Sequence, residues 1–265
     1  MMNDNNHTFA ICAYGDSPYL EECVKSVVNQ TVKSNIIVVT STPNDEIYRI
    51  CGKYELRLYV NTGEKGIAGD WNFALDCVDT QYVTITHQDD IYCEVFLAHI
   101  MRKVRASKTP IIIFTDYGEI RQGEKVNSTR MLKIKRLMLA PLKLKCFHGN
   151  IWIRRRILSL GSPICCPSVT YNLAVIDKPV FRQGFKAALD WEAWEKLSLL
   201  KGEFVYDSEI LMYHRIHFES ETSKLINDTG RGIEDYEMIR KFWPDSIAKL
   251  IARLYSKSET FNDIK

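Results

Sequence analysis

The sequence of 265 residues lacks the patterns that identify zinc, disulfide-rich and membrane-spanning proteins. None of its eight cysteines belongs to a Cys-x-x-Cys pair, so no zinc site or disulfide framework is indicated, and we expect a reducing compartment. The charge-free window of residues 157–176 contains Gly161, Pro163, Pro167 and Asn172, and therefore predicts loop and short strand instead of a membrane span. The polar first residues lead directly into an apolar strand and do not form a signal peptide pattern.

Glycine-rich phosphate-binding loops are also missing. The first predicted strand is followed by one glycine, Gly15, so the Gly-x-Gly-x-x-Gly pattern of dinucleotide-binding enzymes does not occur there. No Gly-x-x-x-x-Gly-Lys-Ser/Thr sequence is found, and the glycines of residues 63–69 are more typical of a flexible loop. Nicotinamide-dependent and P-loop enzymes are therefore disfavoured.

What the first half of the chain does contain is a regular alternation of two patterns. Runs rich in β-branched residues alternate with segments whose apolar residues have helical spacing, and Ser17 and Pro18 have the types expected at a helix start. This alternation predicts an α/β fold in which helices cover both faces of a mainly parallel, Rossmann-like sheet. Strands are predicted over residues 8–14, 35–41, 56–60, 82–87 and 110–120, and helices over 17–31, 44–54, 69–78 and 94–107.

Two adjacent carboxylates, Asp89 and Asp90, follow the fourth predicted strand. Ligands of open α/β sheets bind beyond the carboxyl ends of the strands, where loops converge. Two like charges at this edge are explained by a bound cation, although a solvated turn or a helix N-cap is the structural alternative. The position of the pair favours the cation.

Five segments, in order, resemble family 2 glycosyltransferases, which have the GT-A fold. They are the opening strand and helix (residues 11–31), the segment before the fourth strand (66–76), the Asp-x-Asp region (86–97), the acidic helix start that carries the catalytic base (188–197) and a late basic and histidine motif (213–222). The resemblance implies a metal-dependent, inverting transfer of a sugar from a nucleotide-sugar donor, with a UDP-sugar expected, to a hydroxyl of a lipid-linked saccharide in bacterial surface-polysaccharide synthesis.

Two positions depart from the family pattern. His87 stands where the first aspartate of Asp-x-Asp is usual, and the segment after the second strand lacks the acidic residues that many members carry near the nucleoside, so Asp45 is expected to substitute. The donor-binding residues implied by the resemblance are Ala13, Tyr14, Asp16, Asp45, Asn72, Asp90 and Arg215.

Sugar transfer places negative charge on a diphosphate leaving group, which a divalent cation stabilises. Oxygen ligands suit Mg²⁺ or Mn²⁺. The resemblance implies that Asp89 is the ligand and that Asp90 fixes the loop or bonds the donor sugar, and His217 is expected to complete the shell because Mn²⁺ accepts neutral imidazole. Arg215 is expected to pair with the diphosphate through its planar guanidinium. Alternation along a strand makes His214 the weaker histidine candidate, and solvated polar residues at a strand end are the alternative for the whole motif.

The acceptor hydroxyl must lose a proton, which calls for a positioned base. The resemblance assigns this role to Asp190, with Glu192 as the alternative; without the resemblance, an N-cap and a first-turn acid explain the two residues better. A sugar-1-phosphate nucleotidyltransferase is the other enzyme considered, and an inactive membrane-associated scaffold is kept open by His87. Trp71 and Trp152 are expected to be packing residues.

No acidic residue occurs between Lys125 and Ile176, and residues 131–145 form a basic amphipathic segment broken at Pro141. Basic side chains near an anionic lipid surface favour peripheral attachment, so we expect a cytoplasmic protein on the inner face of the plasma membrane. A solvated helix face or a nucleic-acid patch would explain the charge as well, but no nucleic-acid motif accompanies it. Pro244 divides the tail into two helices, and a catalytic domain over residues 1–224 with a helical extension over 225–265 is predicted.

Overall fold

The computed structural model describes residues 3–217 and 229–260. Their strands form one nine-stranded sheet in the order β3-β2-β1-β4-β8-β6-β9-β5, with β7 paired to β6. The strands are β1 (Asn3–Ala13), β2 (Lys33–Thr40), β3 (Arg57–Val60), β4 (Tyr82–His87), β5 (Ile91–Tyr92), β6 (Pro110–Arg121), β7 (Glu124–Val126), β8 (Val169–Asn172) and β9 (Glu203–Ile216).

Helices cover both faces of this sheet, which explains why its central strands are apolar throughout. In β1, Phe9 and Ile11 pack on one face with α1, α2 and α4, while Ala10 packs on the other face with α3, α6 and α7. The helices are α1 (Leu20–Val28), α2 (Asp45–Lys53), α3 (Ile67–Asp76), α4 (Phe96–Ala106), α5 (Arg130–Leu139), α6 (Ile151–Leu158), α7 (Leu189–Ser198), α8 (Thr229–Arg240) and α9 (Asp245–Thr260).

The prediction of an α/β fold with a mainly parallel sheet is confirmed. β1 pairs in parallel with β2 and β4, β2 with β3, and β6 with β9. The predicted fifth strand, now β6, does not neighbour β4 directly, because β8 lies antiparallel between them. β8 comes from the segment predicted as loop and short strand, and its Thr170 hydroxyl is hydrogen-bonded to that of Thr84 at 2.7 Å.

The predicted start of the first helix is wrong. α1 begins at Leu20, and Tyr19 occupies its N-cap without a side-chain cap bond. Ser17 instead forms a turn ahead of the helix, with its hydroxyl accepting from the Tyr19 amide at 3.3 Å, so Pro18 lies outside α1. The two tail helices occur as predicted on either side of Pro244, and their residues Met238, Ile239 and Ala248 are buried in the core.

Two earlier predictions touch segments outside the described residues. The expected domain boundary at 224 and the last residues of the 213–222 motif fall in this undescribed part. Within the ranges that the structure does describe, no helix combines the length and apolar composition needed to cross a bilayer.

Candidate active site

The turn between β4 and β5 holds the two adjacent aspartates. Asp90 is fully buried, and its Oδ1 atom lies 2.9 Å from Nδ1 of His214 and accepts from the Arg215 amide at 3.0 Å. Its Oδ2 atom is buried with no hydrogen-bond partner among the described residues. A buried carboxylate oxygen without a partner is costly, which indicates that something is missing from this site.

Asp89 faces a different histidine. Its Oδ2 atom lies 3.0 Å from Nε2 of His217. Burial acts to raise the pKa of Asp89, but the hydrogen bond from His217 and the nearby charge of His214 outweigh it and hold that pKa below its usual value. Asp89 is therefore an anion at neutral pH, as a metal ligand must be.

His87, the departure from the family pattern, lies against the same carboxylates. Its ring stacks on Trp71, with centroids 4.9 Å apart and planes 19° apart. Burial lowers the pKa of His87 although Asp90 and Asp89 oppose the shift, so the imidazole is neutral. Its Nε2 atom is buried and has no hydrogen-bond partner in the described part of the chain.

These side chains form a group that fits a divalent cation. Ligand atoms of His87, Asp89 and Asp90 all lie within 4.8 Å of one another. Two carboxylates and a neutral imidazole suit Mn²⁺, and the carboxylate oxygens also suit Mg²⁺. The partnerless Oδ2 of Asp90 lies 3.8 Å from Nδ1 of His87, so a cation held between them would satisfy this buried oxygen.

The sequence favoured His217 over His214 as the histidine of the metal site. The structure gives no such preference, because each histidine contacts a different aspartate. Burial alone would lower the pKa of His214, but the charge of Asp90, its hydrogen bond and the charge of Asp89 raise that pKa to about 9. His214 is therefore a cation at neutral pH. One sequence signal pointed to His214, its position next to Arg215, but the argument from strand alternation ranked His214 below His217.

Arg215 holds the aspartate turn in place. Its Nε donates to the carbonyl of Asp89 at 2.9 Å, its Nη2 pairs with Glu22 at 2.6 Å, and its guanidinium lies 4.3 Å from the ring centroid of Tyr19. The residue is 8% exposed. These contacts give Arg215 a positioning role, while its expected contact with a diphosphate stays a prediction.

Loops that follow β1 and β4 meet at this edge of the sheet. Ala13 is buried at the end of β1, and Tyr14, which is 55% exposed, exchanges two hydrogen bonds of 2.9 Å with the side chain of Gln88. Asp16 is exposed on the β1 loop, and Asp45 is exposed in the first turn of α2. The predicted donor residues are thus grouped at one edge, and their contact with a donor stays a prediction.

α3 contributes two polar residues with different tasks. Asn72 donates to the carbonyl of Phe181 at 2.8 Å and accepts from the amides of Val180 and Phe181 at 3.1 and 3.0 Å, so its amide fixes the segment after β8. Asp70 is buried and accepts from Ser41, just past the end of β2, at 2.8 Å. Sequence reasoning missed Asp70, which brings an acid to the strand end where the family pattern suggested one.

The two candidate bases lie in the first turn of α7 and have different partners. Asp190 is the second residue of the helix and not its N-cap, which is Ala188. Burial raises the pKa of Asp190, opposed by the Trp191 amide and by the charges of Lys135 and Arg231. Glu192 instead has Oε1 3.5 Å from Nζ of Lys241 and a buried Oε2 without a partner in the described residues.

The electrostatic surroundings of Asp190 and of the aspartate turn have two side chains in common, Cys165 and Lys135. Burial raises the pKa of the Cys165 thiol, and the carboxylates of Asp90 and Asp190 both add to the rise. Lys135 of α5 acts on Asp190 and on His214, and its Nζ is hydrogen-bonded to the Tyr117 hydroxyl at 2.9 Å. Asp190 and the aspartate turn thus share the electrostatic influence of these two side chains.

Comparison with known proteins agrees with this geometry. Residues 8–160 match the model of the family described as glycosyl transferase family 2, and the chain belongs to that family. Over 224 residues it is 26% identical to an uncharacterised glycosyltransferase of Rickettsia conorii, an alignment that covers 82% of this chain but only 35% of that longer protein. The family resemblance found in the sequence is therefore confirmed.

Solved structures show the same fold at low sequence identity. S. aureus TarS 1–349, solved with UDP-GlcNAc, superposes with a TM-score of 0.66 and 16% identity, covering 97% of this chain and 73% of that one. The Pyrobaculum calidifontis mannosyltransferase PcManGT, solved with GDP-Man and Mn²⁺, gives a TM-score of 0.64 and 15% identity, covering 95% of this chain and 69% of that one. The fold is therefore of the GT-A type.

Proposed function

We propose that the chain is an inverting, metal-dependent glycosyltransferase that moves a sugar from a nucleotide-sugar donor, with a UDP-sugar expected, to a hydroxyl of an acceptor. The observation that carries the proposal is the buried Asp90 carboxylate, whose Oδ2 atom has no partner in the described chain and lies beside His87 and Asp89. Family membership and the two nucleotide-sugar complexes of the same fold support the donor class.

Asp89, Asp90 and His87 would hold Mn²⁺ or Mg²⁺, and His217, hydrogen-bonded to Asp89, is the fourth group of this proposed shell. The bound cation would supply Lewis-acid stabilisation of the charge that develops on the diphosphate. Arg215 and His214 keep the two aspartates in position from behind. The chain's own contribution is thus a preorganised set of ligands, most of whose other hydrogen bonds are already made.

Asp190 is proposed as the general base. Its carboxylate would accept the proton of an acceptor hydroxyl as that oxygen attacks the anomeric carbon. A pKa raised by burial makes a carboxylate a better proton acceptor near neutral pH. A separate base and a single displacement give inversion at the anomeric carbon.

The acceptor is proposed to be lipid-linked, with the protein held at an anionic membrane surface on the cytoplasmic side. The support is the exposure of apolar and basic side chains along α5, the 3-10 turn that follows it (Ala140–Lys143), the residues that lead to α6, and α6 itself, which we propose to form one surface. Its exposed apolar side chains include Leu137 (75% exposed), Leu144 (57%) and Trp152 (65%), and Lys133, Lys143 and Lys145 are exposed among them. Trp152, expected to be a packing residue, is therefore a surface residue, because α6 turns it outward.

Calorimetric binding of UDP, GDP and dTDP, each with and without Mn²⁺, tests the donor and metal assignments. We expect one nucleotide to bind only with Mn²⁺ and to lose this binding in Asp89→Ala. Asp79→Ala is the matched control, since Asp79 is an exposed acid that precedes β4 and so lies at the opposite edge of the sheet. Metal-independent binding, or binding that survives in Asp89→Ala, would refute the metal site.

A further inference from the structure

One face of α1 carries a row of side chains that contact the chain around the aspartate turn. The row runs from the N-cap to just past the end of the helix and consists of Tyr19, Glu22, Cys23, Ser26 and Gln30. Intervals of three, four and seven residues bring side chains to the same side of a helix. The opening segment that resembles family 2 glycosyltransferases therefore presents one polar and aromatic face to a later part of the chain.

The later members of this row are hydrogen-bonded to the backbone on both sides of the aspartate turn. The thiol of Cys23 donates to the carbonyl of His87 at 3.2 Å, and the hydroxyl of Ser26 accepts from the amide of Tyr92 at 3.1 Å. Gln30 is 1% exposed and bonds a carbonyl and an amide of the segment that leads into α4, at 2.8 and 2.9 Å. The backbone that enters and leaves the turn is thus fixed to α1.

The two earlier members of the row contact the side chains that bond Asp89. The ring centroid of Tyr19 lies 4.3 Å from the guanidinium carbon of Arg215 and 5.1 Å from the ring centroid of His217. Glu22 accepts from Nη2 of Arg215 at 2.6 Å. Arg215 in turn donates to the carbonyl of Asp89, and Nε2 of His217 lies 3.0 Å from its carboxylate. One tyrosine ring therefore touches both side chains that bond this aspartate.

The ion pair between Glu22 and Arg215 is poorly explained by folding stability alone. The side chain of Glu22 is 54% exposed, and ion pairs of such exposed groups contribute little to stability. The side chain of Arg215 is only 10% exposed, so its few partners decide where its guanidinium lies. Residues that orient metal ligands from behind typically change metal affinity by about 10–100-fold when they are removed.

We propose that this face of α1 positions the metal-binding group, with Tyr19 and Glu22 acting on Asp89 through Arg215 and His217. Neither Tyr19 nor Glu22 would touch the cation, so both are positioning residues. The inference rests on the proposed function, because it presupposes a cation held by Asp89. It gives the helix of the opening family segment a task in the reaction site that lies far from it in sequence.

The test is titration of the full chain with Mn²⁺, followed by the EPR signal of unbound Mn²⁺, first alone and then with saturating UDP. Tyr19→Leu should bind Mn²⁺ about tenfold more weakly, because Arg215 and His217 lose the ring that both contact. Tyr19→Phe keeps that ring and should bind Mn²⁺ like the wild type. Equal weakening in Tyr19→Phe and Tyr19→Leu would contradict positioning by the ring.

Glu22→Ala tests the other positioning residue without disturbing the core, since Glu22 is exposed. Its Mn²⁺ affinity should fall by about threefold, a smaller loss because the ion pair is partly solvated. Glu21→Ala is the matched control: Glu21 is the preceding residue of α1 but pairs with Arg49 and Lys53 of α2 at 3.0 and 2.6 Å. It should bind Mn²⁺ like the wild type, and an equal loss in both variants would indicate a general loosening of α1 and overturn the inference.

Asp89→Ala separates this inference from the proposed function. If Asp89→Ala binds Mn²⁺ as well as the wild type does, the metal site is wrong and both proposals fail. If Asp89→Ala loses Mn²⁺ while Tyr19→Leu and Glu22→Ala bind it like the wild type, the metal site stands and positioning by α1 is refuted. Urea denaturation of each variant shows whether a loss of affinity reflects a loss of fold, which we do not expect for Glu22→Ala.

Discussion

The imidazole of His214 and the carboxylate of Asp90 form an ion pair inside the protein, with Nδ1 and Oδ1 2.9 Å apart. Desolvating both ions is costly, and removing one partner leaves an uncompensated buried charge. The pair fixes the Asp90 carboxylate in place, so that its other oxygen stays directed towards His87. The buried ion pair thus lowers the stability of the fold but fixes the Asp90 carboxylate in position before a cation binds.

Replacing His214 by leucine should lower the free energy of unfolding by about 3 kcal/mol, because the Asp90 charge loses its cationic partner. Urea denaturation of the metal-free protein at neutral pH measures the effect. His99→Leu is a matched control: His99 also lies 3.1 Å from a buried aspartate, Asp207, but Arg102 and Lys103 approach that carboxylate within 3.6 and 3.7 Å. Equal losses in the two variants would contradict the assignment.

Asp190→Asn should reduce donor turnover by roughly 10²–10⁴-fold, the usual contribution of a positioned general base. Nucleotide binding in the presence of Mn²⁺ should remain, because Asp190 is not among the metal-binding residues. Turnover can be assayed as the hydrolysis of the nucleotide sugar that binds, measured by the release of UDP.

The pH dependence gives a second check on Asp190. A base acts only when deprotonated, and its pKa is raised by burial, so kcat/KM of the wild type should fall on acidification at a pH above the ordinary aspartate range. Asp190→Asn should lack this acidic limb. A variant that keeps both the limb and the rate would transfer the role to another residue.

Much of the architecture follows from local pattern, whereas the partners within the site do not. The strand and helix alternation predicts β1 to β4 because each βαβ unit is stabilised mainly by neighbours in sequence. The insertion of β8 between β4 and β6 joins distant segments, as in the hydrogen bond between Thr84 and Thr170, and no local periodicity encodes such a contact.

The basic middle of the chain shows the same limit. Arg154 is 1% exposed and donates to the carbonyls of Leu200 and Gly202 at 2.9 and 2.8 Å, and Arg155 pairs with Glu195 at 2.6 Å. Arg136 is bonded to Asp116 at 2.6 Å. Counting charges along the sequence therefore overestimated the basic surface, since these three arginines stabilise the interior.

Glu234 of α8 supports the start of the base-carrying helix. Its carboxylate accepts from the amides of Lys186, Ala187 and Ala188 at 2.9, 2.8 and 2.9 Å, directly ahead of Asp190. Because these amides lose their acceptor, Glu234→Ala should lower turnover by about tenfold, a loss equivalent to one charge-assisted hydrogen bond. Mn²⁺-dependent nucleotide binding should remain unchanged.

Glu237→Ala controls for the loss of an acid from the same helix, since Glu237 is exposed and pairs with Arg182 at 3.1 Å. It should retain wild-type turnover. If Glu234→Ala also does so, the proposed support of the base-carrying helix by Glu234 is wrong.

His7 should make the protein less stable in mild acid. It is fully buried between the hydroxyls of Ser34 and Thr84, each 2.9 Å away, and burial lowers its pKa to about 3. The unfolded chain binds a proton near pH 6.5 and the folded chain does not, so stability is complete above that pH and is lost as pH falls towards 3.

The loss attributable to His7 at pH 5 is about 2 kcal/mol, from the gap between that pH and the unfolded pKa. Urea denaturation at pH 8 and pH 5 should therefore show a smaller difference for His7→Gln than for the wild type by about this amount. An identical difference in both proteins would exclude His7 as the cause.

The surface formed by α5, the following 3-10 turn and α6 should bind anionic membranes. The double variant Trp152→Glu, Leu137→Glu removes two of the most exposed apolar side chains of this surface and adds negative charge. Each charge near an anionic lipid surface contributes about 1 kcal/mol to binding. Co-sedimentation with phosphatidylglycerol-containing vesicles should therefore fall at least about tenfold. Tyr48→Glu is the control, because Tyr48 is 55% exposed on α2, which packs on the sheet face opposite α6. Equal binding of the wild type to neutral and to anionic vesicles would contradict an attachment through the lysines of this surface. Equal binding of the double variant and the wild type would show that the surface does not contact the membrane.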